Sequence, residues 1–448
     1  MSDLKQDLDA APMGGFRWGA VAVCMFLNMI DGFDVLVMAF TAPAVSAEWQ
    51  LSGKQLGLLL SAGLFGMTAG SLFVAPQADK IGRRPITIGC LALCAVTMLL
   101  SAYSRSYLEL GAVRVLTGIG IGGILACSNV IASEYASSRW RSFAVSLQST
   151  GYALGATIGG FIAVWLLGHY GWRSVFLFGG SLTLVAVPIV LWRLPESLDF
   201  LLAKRPAGAL QRVNALARRL GMAEVAELPP APPSRSASGT GVRTLFAPDL
   251  LRPTALVWLS FFLVLFGFYF VMSWTPKLLV ASGMTAQQGV TGGVLLSVGG
   301  VLGAAAFAAL STRFVVNRIA AAVMVVTAGL LSVFVAQAGD QRLAFALAFV
   351  IGAFLNACMA GLYAIVPLVY GASVRATGVG WGIGIGRLGG IASPLVAGAL
   401  LDRGLSPAHL YIAFGLTFLA GGVVVALHRM QGPTAPTRYP FLNPRAER

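Results

Sequence analysis

Asp31 and Asp34 stand one helical turn apart inside an apolar stretch that runs from Trp18 to Ala42. That stretch is long enough to cross a bilayer, and the i, i+3 spacing puts both carboxylates on one face of a helix. Two further charges sit in other long apolar stretches, Arg114 and Arg387. Left unpaired, four such groups at mid-membrane cost on the order of 10–14 kcal/mol, which rivals the stability of an ordinary domain. They must therefore be paired, hydrated or both. A buried salt-bridge set that only fixes helix register stabilises poorly. A buried carboxylate beside an arginine can instead load and release a proton as access changes. An arginine keeps its charge, and its planar fork grips a carboxylate with two hydrogen bonds. Two acids and two arginines meeting in a wettable chamber halfway through the bilayer point to an anionic substrate moved together with protons.

The elements that must hold these groups follow from composition. The 448 residues are 57% hydrophobic and 11% charged, with 54 glycines, where soluble chains carry about 25% charged residues. Glycine in excess suits membrane helices packed backbone against backbone. Spanning stretches occur at Trp18–Ala42, Gln55–Pro76, Ile86–Tyr103, Tyr107–Ile131, Phe143–Leu167 and Ser174–Trp192, then at Pro253–Pro276, Gly289–Leu310, Ile319–Ala338, Leu343–Val366, Thr377–Leu401 and His409–Leu427. The predicted fold is an all-α membrane protein, with twelve transmembrane helices in two pseudo-symmetric six-helix bundles. Its parts are an N-terminal tail at 1–17, a bundle at 18–192, a linker at 193–252, a second bundle at 253–428 and a C-terminal tail at 429–448. These stretches are numbered spans 1 to 12 in chain order.

With the N-terminus placed in the cytoplasm, 23 basic residues fall in inner segments and six (Lys54, Arg105, Arg173, Lys277, Arg342 and Arg403) in outer loops; Arg114 and Arg387 complete the 31. That bias places both termini and the linker inside. It also accounts for the formal charge of +14 without nucleic acid. In the linker, Leu210, Val213, Leu216, Ala217 and Leu220 form one stripe between Pro206 and Met222, an amphipathic helix expected to lie on the inner membrane surface. The stretch from Pro229 to Gly241 is rich in Pro, Ser and Gly and is expected to be flexible. The segment before Trp18 is short and mixed in charge, so span 1 is expected to be retained rather than cleaved.

The halves repeat at an offset of about 234 residues, as duplicated transporter units do: Arg141 with Arg375, Gly118 with Gly352, Gly155 with Gly389, Leu167 with Leu401. The mid-membrane charges break the repeat, since Arg387 faces Ala153, Arg114 faces Ala348, and the acids face Val264 and Gly267. A residue needed only for the scaffold should recur in both copies, so the four serve function. The five cysteines lie in apolar segments without metal or redox spacing. The three histidines lie at span ends, and no metalloprotease or phosphate-cradling motif occurs. An enzyme, a metal site and a cofactor are not expected.

Asp31-Gly32-Phe33-Asp34 resembles the D-G-[FY]-D signature of the aromatic acid:proton symporters of the major facilitator superfamily. Ala78-Asp79-Lys80-Ile81-Gly82-Arg83-Arg84-Pro85 resembles the superfamily loop between spans 2 and 3, although Lys80 replaces an arginine and Ala75 stands where glycine usually opens the motif. Arg114 with Gly118, Gly120, Gly122 and Gly123, Glu134-Tyr135 with Arg139 and Arg141, Leu194-Pro195-Glu196-Ser197, and Gly378 to Trp381 through Arg387 to Pro394 also fit. The resemblance implies alternating access around spans 1, 4, 7 and 10, and uptake of small aromatic carboxylates such as hydroxybenzoates across a bacterial inner membrane by a monomer. It assigns proton coupling to Asp34 and Arg114, with Asp31 as a second acid tuning coupling or binding, and the carboxylate anchor to Arg387. Phe33, Tyr152, Tyr269, Trp274 and Tyr363 are candidates to stack on a ring, and Asn356 to bond a ring hydroxyl. Asp79, Arg83, Arg84, Glu134, Arg139 and Arg141 are read as a cytoplasmic gate. Symport of another small acid or a sugar, or export of a drug or metabolite, is the alternative reading.

Overall fold

The computed structural model describes residues 12–222, 224–228, 242–336, 340–370 and 374–427. The flexible stretch expected at Pro229–Gly241 and the tail at 429–448 lie outside the described residues, as does most of the tail at 1–17. Twelve helices among the described residues are long and apolar enough to span a membrane. In order they are Gly15–Trp49, Gly53–Ile81, Arg83–Ala102, Tyr107–Tyr135, Arg141–Tyr170, Trp172–Arg193, Pro248–Ala281, Ala286–Ser311, Val316–Ala336, Gln341–Val369, Arg375–Asp402 and Pro407–Ala426. Several overrun the apolar stretches by a turn or more, as span 1 does to Trp49 and span 7 does back to Pro248, and polar residues fix some of the starts. Ser52 and Gln55 form a reciprocal capping box on span 2, Thr285 and Gln288 form another on span 8, and Ser106 and Ser406 cap spans 4 and 12. Pro43 and Pro276 sit within spans 1 and 7 rather than ending them, which packed membrane helices tolerate.

The two halves pair their helices alike. Spans 1 and 5, 2 and 4, and 3 and 6 pack together in the first half, as do 7 and 11, 8 and 10, and 9 and 12 in the second. Glycine permits the closest approaches. A Cβ at Gly32, between the two acids, would collide with the Tyr152 backbone of span 5, and one at Gly118 would lie 2.9 Å from the Cα of Gly66 in span 2. These contacts draw spans 2, 4 and 5 in around the charged part of span 1.

The halves meet along spans 2 and 11, 5 and 8, and 1 and 7. Several of these contacts lie toward the end away from the linker. Gly57 faces the backbone of Pro394 and Leu395, Gly53 faces Gly398, and Gly160 faces Val294. Ser61 donates to the Ile391 carbonyl at 2.8 Å. Asp402, at the end of span 11, accepts from the amides of Gly53 at 2.6 Å and Lys54 at 2.9 Å at the start of span 2.

In the linker, helices Leu198–Lys204 and Ala209–Leu220 follow span 6. The expected membrane-surface helix differs in one respect. Val213, Leu216 and Ala217 are buried, Val213 and Leu216 in one apolar cluster with Leu198, Leu201 and Leu202 of the preceding helix and with Val190 of span 6. The middle of its apolar stripe is covered by protein, while Leu210 and Leu220 at its ends are partly buried and Arg212, Arg218 and Arg219 are exposed.

Candidate functional site

Span 1 carries Asp31 and Asp34 into the interior, where they are 1% and 2% exposed. Both Asp34 oxygens and Oδ2 of Asp31 have no hydrogen-bond partner. Arg114 of span 4 is as deeply buried, yet no ion pair joins it to Asp34. Its Nη2 donates to Thr117 Oγ1 and to Met98 Sδ, both at 2.8 Å, and Nη1 reaches the Asp34 backbone carbonyl at 3.4 Å. The guanidinium lies 5.3 Å from the Phe176 ring centroid, a cation–π contact, and Nε is unpartnered. Asp34 and Arg114 share a void of about 20 Å³ bounded by spans 1, 2 and 4, room for about one water.

Arg387 of span 11 crosses to the other half, where Nη1 donates to Ser71 Oγ at 2.8 Å. With Tyr269 it lines a second void of about 10 Å³. Leu64 and Met67 of span 2 line both voids. The expected common chamber is thus divided: two apolar side chains stand between the acid–arginine pocket of span 1 and the arginine of span 11. Asp31 lines neither void.

The aromatic candidates scatter. Tyr269 is half-buried beside Arg387 and packs over Gly390. Tyr363 is 45% exposed, edge-on to Phe261. Tyr152 is half-buried on span 5. Two candidates lie away from both voids. Phe33 is buried edge-on to Phe178, against Gly159 and Gly179, inside the first half. Trp274 is 1% exposed, its indole N–H unpartnered, and it lines neither void. Asn356 donates to its own helix at Gly352 O, 3.2 Å, and packs against Gly300 of span 8, so its amide is not presented to these voids.

At the linker end Arg83 is the hub. It pairs with Glu134, lies 3.5 Å from Asp79, and donates to Ser197 Oγ at 2.6 Å. The amides of Arg83 and Arg84 donate to Glu196 Oε1 at 2.9 and 3.1 Å, and Arg84 Nη2 reaches the Leu191 carbonyl at 2.5 Å. Gly82, at φ +116°, turns the chain so that this is possible, and a Cβ there would lie 2.6 Å from Glu196 Oε2. Arg141 donates to the Ser133 carbonyl at 3.1 Å, and exposed Arg139 lies over the Trp140 ring. Of the partners named for Arg83, Asp79 and Glu134 lie in the first half and Ser197 just beyond span 6, so the network ties the linker-side ends of spans 2, 3, 4 and 6 together.

Sequence reasoning passed over Ser71, Thr117, Leu64, Met67 and Asp402. Ser71 and Thr117 carried a signal, as hydroxyls in otherwise apolar membrane helices. Asp402 carried none, since its partner lies 349 residues away.

A twelve-helix bundle with duplicated halves and buried, unpaired membrane charges is the build of a secondary transporter. The chain belongs to the Major Facilitator Superfamily, whose sequence model matches residues 21–340. It is 33% identical over 427 residues to a gallate transporter of Pseudomonas putida, covering 94% of each chain. It is 33% identical over 411 residues to the 4-hydroxybenzoate transporter PcaK of Acinetobacter baylyi, covering 90% of this chain and 89% of the other. Similarity to the 3-(3-hydroxy-phenyl)propionate transporter of Escherichia coli is 30% over 409 residues, 90% and 92% of the two chains. In fold it is similar to the xylose transporter XylE of E. coli, with a TM-score of 0.70 at 15% identity over 94% of this chain and 100% of that one. The protein is therefore a multi-pass membrane transporter and not an enzyme, and its relatives carry aromatic acids by name.

Proposed function

We propose that the protein takes up a small aromatic carboxylate together with protons by alternating access, across a bacterial inner membrane with its linker end in the cytoplasm. The single observation that carries this reading is the placement of unpaired charge. A carboxylate without a hydrogen-bond partner, sharing a water-sized void with an arginine, is the situation of a group waiting for a proton or a water. An arginine held by one serine hydroxyl beside a tyrosine has most of its fork free for a carboxylate. The names of the relatives supply the ring. Asp34 and Arg114, with Asp31, couple the proton; Arg387 anchors the substrate, and Tyr269, Tyr363 and Tyr152 are the aromatic groups best placed to meet its ring. Movement of Leu64 and Met67 joins the two voids, so the anion and the proton are sensed by one helix, span 2. The linker-end charges form the switching end of the first half.

Uptake of labelled 4-hydroxybenzoate into proteoliposomes with an imposed inward proton gradient tests this. Leaving a buried charge unpaired costs about 2–5 kcal/mol, so Arg387→Ala is expected to lower uptake at least about thirtyfold. Asp34→Asn is expected to lose gradient-driven accumulation and keep exchange between labelled and unlabelled substrate. Uptake indifferent to both the gradient and Arg387→Ala sinks the proposal.

A further inference from the structure

Away from the transport path, a groove of about 890 Å³ opens on the flank of the first half at the linker end, between the helix Ala209–Leu220 and spans 3 and 6. That volume falls in the range that holds a ligand of substantial size. One wall is apolar and belongs to the membrane-facing side of the bundle: Ile88 and Gly89 of span 3 with Leu191 and Trp192 of span 6, of which Trp192 is 75% exposed. The other wall is basic, with Arg84, Arg212 and Arg219 lining it. Among the described residues neither Arg212 nor Arg219 has a carboxylate partner, although Arg219 approaches the Phe16 ring, and Nε of Arg84 is buried without a partner. The one acid in the lining, Glu196, already accepts through Oε1 from the amides of Arg83, Arg84 and Ser197. Arg193, stacked on Trp192, adds a further cation at the rim. The lining therefore carries a net positive charge of two, set against an apolar strip at the depth where two spans leave the bilayer.

From this juxtaposition we infer that the groove binds one anionic phospholipid. Its phosphate rests on Arg212, Arg219 and Arg84, and its acyl chains lie along Ile88, Gly89 and Leu191. Apolar surface alone does not choose between lipids, and a basic cluster alone would accept any anion. The two together select a molecule that carries a charged head and a long apolar tail. The lipid pins the linker helix to spans 3 and 6, the same corner at which the Arg83 and Glu196 network holds the first half together.

The intact protein, purified with phosphatidylglycerol and phosphatidylcholine of matched chains, is to be analysed by native mass spectrometry for retained lipid. The expected result is one phosphatidylglycerol kept in preference to phosphatidylcholine. Each basic residue near a membrane surface contributes about fivefold, so Arg212→Gln with Arg219→Gln is expected to cut that preference about thirtyfold. Arg313→Gln with Arg318→Gln, exposed basic residues of the other half, is expected to leave it intact. A Cβ at Gly89 meets nothing within 4 Å, so the backbone there leaves room for a side chain, and Gly89→Phe is expected to occupy the apolar strip and release the lipid while the arginines remain. Equal retention of both lipids by the wild type overturns the inference. So does an unchanged preference in the double arginine variant, or full displacement by inorganic phosphate.

Discussion

The two ends of the bundle are held together in opposite ways. Away from the linker, the contact runs between halves and is made of backbone: glycines of span 2 against spans 11 residues Pro394 and Gly398, and the Asp402 carboxylate on the first amides of span 2. At the linker end the charges are more numerous, but the Arg83 network closes on Glu134, Asp79, Glu196 and Ser197 within one half. Charge is thus spent on making the first half rigid where the chain is long and polar, while the joint between halves relies on close packing and a single carboxylate at a helix end. A carboxylate there contributes about 0.3–1 kcal/mol, up to ~2 when partly buried. On the reading proposed above, this is the joint that closes and opens again in each transport cycle.

The largest way to break the contrast is steric. Gly57 lies against the Pro394 carbonyl, and a Cβ there would come within 3.3 Å of the Leu395 Cα. Gly57→Leu must push spans 2 and 11 apart, and overpacking costs about 1–3 kcal/mol. Uptake is expected to fall up to about a hundredfold. A cysteine placed at Ser61, which is buried under Ile391, should become reactive to a water-soluble maleimide. Unchanged labelling shows that the joint is not where the halves close.

Next in size is Asp402→Asn, which keeps an acceptor but loses the charge that complements the helix start. The Ser61→Cys reporter is expected to label about three- to tenfold faster, with Asp402→Ala at or above the upper end. The equivalent change at the linker end, Glu134→Gln, is expected to leave that rate alone and to lower the melting temperature, because it breaks a pair inside one half.

Much of this was legible in the sequence because membrane charge is rare enough to be conspicuous. Asp31, Asp34, Arg114 and Arg387 stand out in any reading, and apolar length locates all twelve spans. What a linear reading loses is direction. Phe33 lies between the two acids in sequence, but at about 100° per residue it points about 200° from Asp31 and about 100° from Asp34, and so it packs into the first half. Asn356 and Trp274 fail for the same reason, since a polar or aromatic side chain on a membrane helix has several neighbours to choose from. Leu64 and Met67 could not be singled out at all. Two apolar residues among many become a partition only when spans 1, 2 and 11 are brought together. Asp402 sits at the end of span 11, and its partner is set by the whole fold.

The smallest expected effect belongs to Asp79, and it sharpens the comparison most. Asp79 ends span 2 at the linker end with a side chain that is 73% exposed and 3.5 Å from Arg83. Exposed pairs of that kind contribute about 0–1 kcal/mol. Asp402 ends span 11 at the other end and sits on the start of span 2, while the start of span 11, at Val374, has no side-chain cap. The two spans therefore offer the same chemistry in mirrored positions, one used here and one idle. If Asp79 caps span 11 when the linker end closes, Asp79→Asn slows uptake about two- to fivefold at the 0.3–1 kcal/mol worth of a charge on a helix end, while membrane insertion, melting temperature and Ser61→Cys labelling stay at wild-type values. Full uptake by Asp79→Asn assigns the linker-end charges to the rigidity of the first half alone and leaves Asp402 without a counterpart.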